Sequence, residues 1–434
     1  MRVRMAYGRR GLVVELPDGA TVLEKAPVPP LADPEAALRA ALETPRGARP
    51  LRELAAGRRD AAIVVSDATR PVPNALLLPP LLDALRAGGL APAAVSVVVA
   101  TGLHRPATPA ELAEMLGSEL ARTLRIVQHD ARAADRHVDL GRTSQGLPIR
   151  IDRFFCQSDL RITTGLVEPH LMAGYSGGRK AVCPGLAARD TIRAAHGPAL
   201  LEGHVGPGIV DGNPLHEALL EVVRKVGVHF AVNVALDRER RVAGVFAGCV
   251  EASHAEAMAF VESESLVSLP EPADLVVVSA GGAPLDRTFY QSIKGIATAL
   301  GIVRPGGIVL LLAELSEGIG SASFEKCLRQ AAGPEDFERR LGDPDFFAID
   351  QWMVQHLCQA HRRARLLVYA GALPAETLSE LLVEPVASPE AGIATALAAL
   401  GPGARIAAIP QGPYVLATVR GMKTALGWDR PFPA

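Results

Sequence analysis

Cysteine is scarce in this sequence, and the positions of the few cysteines exclude two kinds of structure. The 434 residues contain five cysteines that are odd in number, widely spaced and without a C-x-x-C pair: Cys156, Cys183, Cys249, Cys327 and Cys358. A disulfide framework or a structural zinc site needs paired or closely spaced cysteines. We therefore expect each one to be a small, buried, apolar residue.

Charge of one sign and long apolar runs are also lacking. The formal net charge is −2 and no run of five basic residues occurs, so nothing indicates a nucleic-acid partner. No stretch reaches the ~18 consecutive apolar residues of a membrane span. The basic N-terminus is not an export signal, because Glu15 and Asp18 interrupt the apolar residues that follow it. We expect a cytoplasmic, globular protein with no membrane partner.

Lysine is rare in this chain, and most of its basic residues are arginines. Of its 45 basic residues only six are lysines, at positions 25, 180, 225, 294, 326 and 423. A primary amine can be acylated or can titrate near neutral pH, whereas a guanidinium does neither readily. The lysines inside motifs, Lys180 and Lys294, are therefore the first candidates for chemistry.

The chain predicts two α/β domains. At 434 residues it is too long for one ordinary core. Short apolar runs alternate with helical patterns, which is typical of a doubly wound, mostly parallel sheet. A proline-bearing break at 269–272 precedes a restart of the pattern. We expect a larger N-terminal domain at 1–268, a smaller C-terminal domain at 269–404, and the active site in the cleft between them. The tail 405–434 belongs to either domain, and an N-terminal hairpin is expected across Pro17-Asp18-Gly19.

Polar side chains follow several predicted strands directly. Asp67 and Arg70 come after the run 61–65, His104 follows the run 95–100, and His170 comes shortly after 160–164. Ligands of doubly wound sheets lie at the carboxyl ends of the strands. Histidines there can act as acid or base, and an arginine offers a planar fork for a carboxylate. Each histidine alone is as well explained by capping or packing, but two at one edge favour catalysis.

The densest stretch runs from Glu168 to Lys180. Gly174-Tyr175-Ser176-Gly177-Gly178 matches the nucleophile elbow G-x-S-x-G, but the residues before Ser176 do not have a strand pattern, so a serine hydrolase is the less favoured alternative. The P-loop is excluded because no Ser or Thr follows Lys180. The loop Ser176, Gly177 and Gly178 either cradles a phosphate or is only a tight turn.

Two further features complete the candidate set. His196 has no His, Cys or carboxylate at metal-ligand spacing, so spacing alone favours a structural histidine. Gln291 and Lys294 stand at i and i+3, on one face near the start of a predicted helix. A solvated face explains such a pair well, but the scarcity of lysine argues for a role.

With these residues assembled, the chain resembles the lactate racemase family of nickel-pincer-nucleotide enzymes. The resemblance rests on motifs in order from residue 66 to residue 352: Ser66-Asp67-x-Thr69-Arg70-Pro71, Thr101-Gly102-x-His104-Arg105, Glu168-Pro169-His170-x-x-Ala173-Gly174-Tyr175-Ser176-Gly177-Gly178-x-Lys180, His196, Tyr290-Gln291-Ser292-x-Lys294-Gly295 and Gln351-Trp352. These motifs lie in both predicted domains.

The resemblance implies a function and a set of roles. It implies a racemase or epimerase of a lactate-like 2-hydroxy acid that works by reversible hydride transfer through a bound 2-keto acid. The implied cofactor is the nickel complex of pyridinium-3,5-bisthiocarboxylic acid mononucleotide, supplied by cofactor-biosynthesis proteins and absent from protein made without them. The implied roles are His104 and His170 as acid and base; Lys180 as covalent attachment; His196 as nickel ligand; Asp67, Thr69, Ser176, Gly177 and Gly178 near the cofactor; and Arg70, Tyr290, Gln291, Lys294 and Trp352 near the substrate.

Some questions stay open from the sequence. Asp67 either orients His104 or contacts the cofactor, and the 2-hydroxy acid itself is not determined. A non-catalytic nucleotide-binding module remains the alternative outside enzymes, and it would keep the cofactor without exchanging hydrogen at substrate C2.

Overall fold

The protein is described by a computed structural model, which covers residues 1–201, 203–343 and 346–421. In chain order the strands are β1 (Arg2–Met5), β2 (Leu12–Glu15), β3 (Thr21–Val22), β4 (Ala61–Ser66), β5 (Val95–Ala100), β6 (Arg125–Gln128), β7 (His137–Arg142), β8 (Pro148–Asp152), β9 (Leu160–Leu166), β10 (Pro169–His170), β11 (Ala173–Tyr175), β12 (Gly206–Pro207), β13 (Phe230–Leu236), β14 (Val242–Gly248), β15 (Leu266–Leu269), β16 (Ala273–Ser279), β17 (Val303–Ala313), β18 (Ala364–Ala370), β19 (Glu384–Pro385), β20 (Ile406–Ile409) and β21 (Leu416–Val419).

The helices alternate with these strands. In chain order they are α1 (Pro34–Glu43), α2 (Leu51–Ala55), α3 (Asn74–Ala87), α4 (Pro109–Leu116), α5 (Ser118–Thr123), α6 (Arg153–Gln157), α7 (Arg189–Ala195), α8 (Pro198–Leu201), α9 (Pro214–Val226), α10 (Val250–Ser265), α11 (Phe289–Leu300), α12 (Ala322–Arg329), α13 (Pro334–Leu341), α14 (Gln351–Arg363), α15 (Ala375–Ser379) and α16 (Pro389–Leu400). Within the described ranges none of them is long and apolar enough to cross a membrane.

The first sheet has six strands in the order β14-β13-β9-β4-β5-β6. All neighbours are parallel except β13 and β14. Its central strands are near-continuous apolar runs because helices cover both faces, and residues 61–65 are buried without interruption. After β4 the chain adds β5 and β6 on one side of that strand. It then adds β9, β13 and β14 on the other side. The strand order therefore reverses between β4 and β9.

The second sheet also has six strands, in the order β19-β18-β17-β16-β20-β3, and every pair is parallel. Here the order reverses between β16 and β20. The predicted α/β class with a doubly wound, mostly parallel N-terminal sheet is confirmed, and the second sheet is doubly wound as well. One hydrophobic cluster includes Val64 and Val98 of the first sheet together with Val276 and Val309 of the second, so the cores of the two sheets are continuous.

One local prediction about the N-terminus was wrong. The hairpin pairs β1 with β2, so its turn lies at 6–11 and not at Pro17-Asp18-Gly19. The latter turn leads into β3, which pairs with β20 of the second sheet. Val3 and Met5 pack against that sheet as well. Alternation along the chain cannot show this, because the partner strand lies almost 400 residues away.

The C-terminal tail contributes one strand to each of two sheets. Strand β20 lies inside the second sheet, between β16 and β3, while β21 pairs with β15 beside it. Residues 422–434 of the predicted tail lie outside the described residues. Strand β20 thus completes the second sheet, whereas β21 belongs to a separate two-stranded sheet with β15; the local sequence pattern left both placements open.

Candidate active site

The candidate site lies at the carboxyl end of the first sheet, where the strand order reverses. Strand β4 ends at Ser66 and leads to Asp67 and Arg70, and β9 ends at Leu166 and leads to Glu168 and His170. The carboxyl ends of neighbouring parallel strands meet at one edge, and ligands of open α/β sheets bind where the order reverses. The topology therefore brings together residues that are about 100 positions apart in the chain.

Asp67 holds His104 through a direct hydrogen bond. The Nδ1–H of His104 donates to Asp67 Oδ2 at 2.6 Å, since a carboxylate oxygen can only accept. Thr69 donates its hydroxyl to the other carboxylate oxygen at 2.7 Å. Burial would raise the pKa of Asp67, but the bond and charge of His104 outweigh it and the pKa is lowered. The His104 ring is 54% exposed, and in its neutral form it presents the Nε2 lone pair to the site.

His170 carries its proton on the other ring nitrogen. Its Nδ1 accepts backbone N–H bonds from Met172 and Ala173, both at 3.2 Å, so the proton of the neutral ring is assigned to Nε2. Burial lowers its pKa well below the ordinary value, and the positive charges of Lys180, Lys294 and Arg70 lower it further. A neutral His170 therefore presents a donor, whereas the neutral form of His104 presents an acceptor.

Lys180 has an amine that is easily deprotonated. It lies in a helical turn at Gly178–Ala181, directly after the glycine loop. Burial lowers the pKa of Lys180 to about 7, and the charges of Arg179 and Arg70 contribute. A substantial fraction of the amine is thus neutral near pH 7, which is the nucleophilic form.

Arg179, next to Lys180, is a fully buried cation that the sequence reasoning missed. Its guanidinium donates to the carbonyl oxygens of Ala173 and Tyr175 and contacts the His254 ring. Its Nε has no partner, and within the described residues it forms no ion pair. Burial lowers its pKa to about 9. An uncompensated cation here adds positive potential beside Lys180, and the only signal in the sequence was its adjacency to that lysine.

His196 has one free ring nitrogen. It follows α7 directly, and its Nδ1–H donates to the Ile192 carbonyl oxygen at 2.8 Å. Burial lowers its pKa to about 4, so the ring is neutral at pH 7 and Nε2 keeps its lone pair. A backbone carbonyl that fixes the tautomer in this way is typical of histidines that bind metals. Among the described residues no group of three His, Cys, Asp or Glu side chains could hold a metal, so a metal at His196 needs ligands from elsewhere.

Helix α11 of the second sheet supplies the opposite side of the site. Burial lowers the pKa of Lys294 to about 7, Arg70 lowers it further, and Glu168 opposes the shift. Lys294 is therefore within electrostatic range of residues that follow β4 and β9. The Oε1 atom of Gln291 is buried without a partner, so it is free to bond a ligand. The structure thus brings the two predicted halves of the site together.

Tyr290 and Trp352 form a connected wall beside His196. The Tyr290 hydroxyl accepts from Trp352 Nε1 at 3.1 Å and donates to Asp350 Oδ1 at 3.2 Å. The Trp352 ring lies 4.5 Å from the His196 ring, centroid to centroid. Burial raises the pKa of Tyr290, and Asp350 adds to the shift, so its hydroxyl keeps its proton. The predicted proximity of Trp352 to the site is seen through its contact with His196.

Glu168 is a second residue that the residue-by-residue reasoning did not select. Burial raises its pKa, while Lys294 and Arg70 act in the opposite direction. Its neighbours are therefore mostly cationic. The available signal was its position in Glu168-Pro169-His170, directly after a predicted strand.

The glycine loop is held by bonds inside the fold. Ser176 Oγ donates to the Leu166 carbonyl oxygen at 2.8 Å and accepts the Glu168 N–H at 2.9 Å. Gly178 N–H donates to Asn233 Oδ1 at 2.8 Å. The expectation that no strand precedes Ser176 was wrong, because β11 ends one residue before it; β11 has only three residues, too few to show a period. Among the described residues no histidine nitrogen bonds the Ser176 hydroxyl, which disfavours a hydrolase triad.

Two family models match the chain in order along its length. The model of the lactate racemase N-terminal domain matches residues 7–205, and that of the lactate racemase C-terminal domain matches residues 269–417. A lactate racemase from Lactiplantibacillus plantarum is 30% identical over 418 residues, covering 94% of this chain and 98% of that protein. The chain belongs to the lactate racemase family.

Other relatives agree with this family membership. A lactate racemase from Thermoanaerobacterium thermosaccharolyticum is 29% identical over 421 residues, covering 95% of this chain and 98% of that protein. The structure of the lactate racemase apoprotein from the same organism matches with a TM-score of 0.91, covering 96% of this chain and 100% of that one. A protein from Thermotoga maritima, 18% identical with a TM-score of 0.68 over 91% of this chain and all of its own, shares the fold.

Proposed function

We propose that this protein racemises or epimerises a lactate-like 2-hydroxy acid with a nickel-pincer nucleotide. The observation that carries the proposal is the pair of histidines with opposite proton patterns. His104 offers an unprotonated Nε2 because Asp67 takes its Nδ1–H, while His170 offers a protonated Nε2 because two amides occupy its Nδ1. A reaction that inverts one carbon needs a group that accepts a proton and one that supplies it. The names of the relatives support lactate as the first substrate to test.

Binding of the substrate carboxylate is assigned to cations from both sheets. Arg70 provides a planar fork for two carboxylate oxygens, and Lys294 and Gln291 reach the same region from α11. Tyr290 and Trp352 would exclude water on the side of His196, since their polar atoms are already paired with each other.

The residues present fit the cofactor that the family resemblance implies. Lys180 supplies a partly neutral amine for a covalent thioamide, and His196 supplies one free nitrogen for nickel. Arg179 and Arg70 add positive charge to the site, and Lys294 adds more in its protonated form, which suits an anionic nucleotide. When bound, the group supplies reversible acceptance of hydride from substrate C2.

The proton steps belong to the two histidines. For one enantiomer His104 removes the hydroxyl proton at Nε2, and the imidazolium that forms is stabilised by the Asp67 carboxylate. For the other face His170 supplies its Nε2–H to the oxygen as the alcohol is restored and takes a proton back from solvent, while His104 releases to solvent the proton that it removed, so both rings return to their starting forms. We propose that Asp67 and Thr69 influence the cofactor only indirectly, by holding His104 in place. Ser176, Gly177 and Gly178 remain proposed neighbours of the nucleotide phosphate.

The test is racemisation of single-enantiomer lactate by protein co-expressed with the cofactor-biosynthesis proteins. Intact mass should show an adduct that disappears in Lys180→Ala. Lactate deuterated at C2 should keep its label in both enantiomers, because hydride would not exchange with solvent. Loss of the label to water would contradict the hydride mechanism. Adduct formation without racemisation of any 2-hydroxy acid would favour the nucleotide-binding module instead.

The residual assignments follow the same proposal. We place the protein in the cytoplasm together with the proteins that make the cofactor, and we assign no nucleic-acid or membrane partner. A serine hydrolase is the disfavoured alternative. It predicts labelling of Ser176 by an acyl-enzyme probe, which Ser176→Ala would abolish.

A further inference from the structure

A groove lined with arginines lies at the carboxyl end of the second sheet. It encloses about 360 Å³ where the strand order reverses between β16 and β20. Residues 281–283 after β16, Pro410 and Gln411 after β20, and the hairpin loop 4–11 form its walls. The equivalent position of the first sheet holds the candidate active site. By the same topological rule the second reversal point is a ligand site for which the proposed reaction gives no use.

The walls of the groove are fixed to one another. Gly281 and Gly282 have φ values of +96° and +69°, which glycine adopts without strain. A Cβ on Gly282 would lie 3.2 Å from the Gly8 carbonyl oxygen, so the hairpin loop packs directly on this turn. Ala283 N–H donates to Gly8 O at 2.9 Å, and Gly8 N–H donates to Asp286 Oδ2 at 2.5 Å. The backbone of the groove is thus defined without a ligand.

The side chains of the groove carry an unbalanced positive charge. Four arginines, Arg4, Arg9, Arg10 and Arg238, and one acid, Glu24, line it, which leaves three net positive charges. None of these four arginines forms an ion pair with any residue in the described ranges. By contrast, Arg2 of the same hairpin pairs with Glu15, and Arg241, close to Arg238, pairs with Asp237. The groove therefore collects guanidinium groups that have no acidic partner among the described residues; that of Arg4 donates to the Arg10 carbonyl oxygen.

We propose that this arginine groove binds a small polyanion with two adjacent phosphate groups. Guanidinium groups bond phosphate oxygens in pairs, and three net charges match an anion with several negative charges. The volume is in the range of small-molecule sites. Arg238 follows β13 of the first sheet, while Arg9 and Arg10 lie in the β1–β2 hairpin that packs against the second sheet, so the ligand would bridge the first sheet and this hairpin.

The groove is separate from the candidate active site. The helical turn Gly412–Tyr414 lies between them: a Cβ on Gly281 would be 3.3 Å from Pro413 and Tyr414, and Tyr414 is within electrostatic range of Glu168. Anion binding in the groove therefore needs neither Lys180 nor Arg70. It is also independent of the proposed racemase reaction, so the two can fail separately.

The test is titration calorimetry with inorganic pyrophosphate, repeated with ADP, AMP and citrate. Pyrophosphate and ADP should bind, AMP and citrate should bind more weakly, and added salt should reduce all affinities. Stronger binding of ADP than of pyrophosphate would identify a nucleoside diphosphate as the source of the phosphates. Arg9→Gln/Arg10→Gln should weaken binding of pyrophosphate about tenfold or more, since each lost charge-assisted pair is of that order.

Two controls decide whether binding is in the groove. Arg49→Gln/Arg122→Gln removes the same charge from exposed arginines outside the groove and should leave the affinity unchanged. Lys180→Ala should also bind pyrophosphate like the parent protein. No saturable binding, equal binding by Arg9→Gln/Arg10→Gln, or loss of binding in Lys180→Ala alone would overturn the proposal. Citrate binding as tight as that of pyrophosphate would overturn the assignment of phosphate.

Discussion

The proton on His104 is placed by a single carboxylate. Asp67 is 6% exposed, yet its pKa stays low because both of its oxygens accept hydrogen bonds, from His104 and Thr69. An ionised carboxylate fixes the imidazole tautomer and stabilises the imidazolium. His170 has no such partner among the described residues; backbone amides set its tautomer instead. The two histidines therefore differ before any substrate binds.

Replacing Asp67 by asparagine should remove this preference. In Asp67→Asn we expect kcat/KM for lactate to fall roughly a hundredfold in the holoenzyme, within the usual contribution of acid–base catalysis. Nitrogen-15 NMR of the apoprotein should show His104 losing its single tautomer while His170 keeps its own. Thr69→Val, which removes only one donor to Asp67, should have a much smaller effect. Unchanged His104 tautomers in Asp67→Asn would refute the assigned role.

At the scale of elements, the glycine loop shows how packing dictates residue type. Gly177 has a φ of +74°, and a Cβ there would lie 2.6 Å from Val167 Cγ2 and 3.0 Å from Asn233 Oδ1. The loop is pressed between the end of β9 and β13. Lys180 follows it at once, so the close approach of this backbone determines where the amine lies.

Alanine at Gly177 should therefore cost more than backbone strain alone. Gly57 is a matched control, because its φ is +75° and no atom of the described residues lies within 4 Å of the position that a Cβ would take there. We expect Gly57→Ala to lose about 1 kcal/mol of unfolding free energy. Gly177→Ala should lose roughly 2 kcal/mol more because of the overlap. Urea unfolding measures both, and equal losses would show that the contact is soft.

At the scale of the whole molecule, the strand order reverses once in each six-stranded sheet, and the charged side chains at these two places differ in burial. In the first, Arg179 is buried, Lys180 and Lys294 are partly buried and Arg70 is exposed, beside Glu168 and Asp67. In the second, arginines are exposed around a groove. Burying the amines of Lys180 and Lys294 lowers both pKa values to about 7, so the folded protein holds cations that its interior disfavours.

This burial predicts a pH dependence of stability. The folded pKa values lie near 7 and the ordinary value is 10.5, so between these pH values the unfolded state binds more protons. The free energy of unfolding should therefore rise with pH across this window. Below about pH 7 the folded protein bears the full cost of holding both amines in their charged form. Lys180→Met/Lys294→Met should be more stable than the parent apoprotein at pH 6, by roughly 2 kcal/mol or more, with the difference shrinking toward pH 10.

Urea unfolding at a series of pH values tests this expectation. Lys225→Met is the control, since Lys225 is a surface residue whose amine lies 3.9 Å from Glu221. The difference in unfolding free energy between Lys225→Met and the parent should stay constant across this pH window. A double variant that is less stable than the parent at pH 6 would contradict the assigned burial cost.

The sequence by itself determined the fold class and most of the central strands. Apolar runs such as 61–65 and 95–99 are buried on both sides, so their pattern is local and strong. It also determined which side chains follow those strands, and hence that Asp67, His104 and His170 share an edge. Ordered motifs identified the family, because spacing within a motif does not depend on tertiary contacts.

Only the tertiary structure decided how distant segments combine. It placed β3 and β20 side by side, added Arg179 and Glu168 to the site, and bonded Asp67 to His104. It also assigned opposite proton patterns to the two histidines, which depend on partners from other loops. The physical reason is the same in each case: burial, pKa and hydrogen-bond partners are set by neighbours in space, and these neighbours leave no periodic trace along the chain.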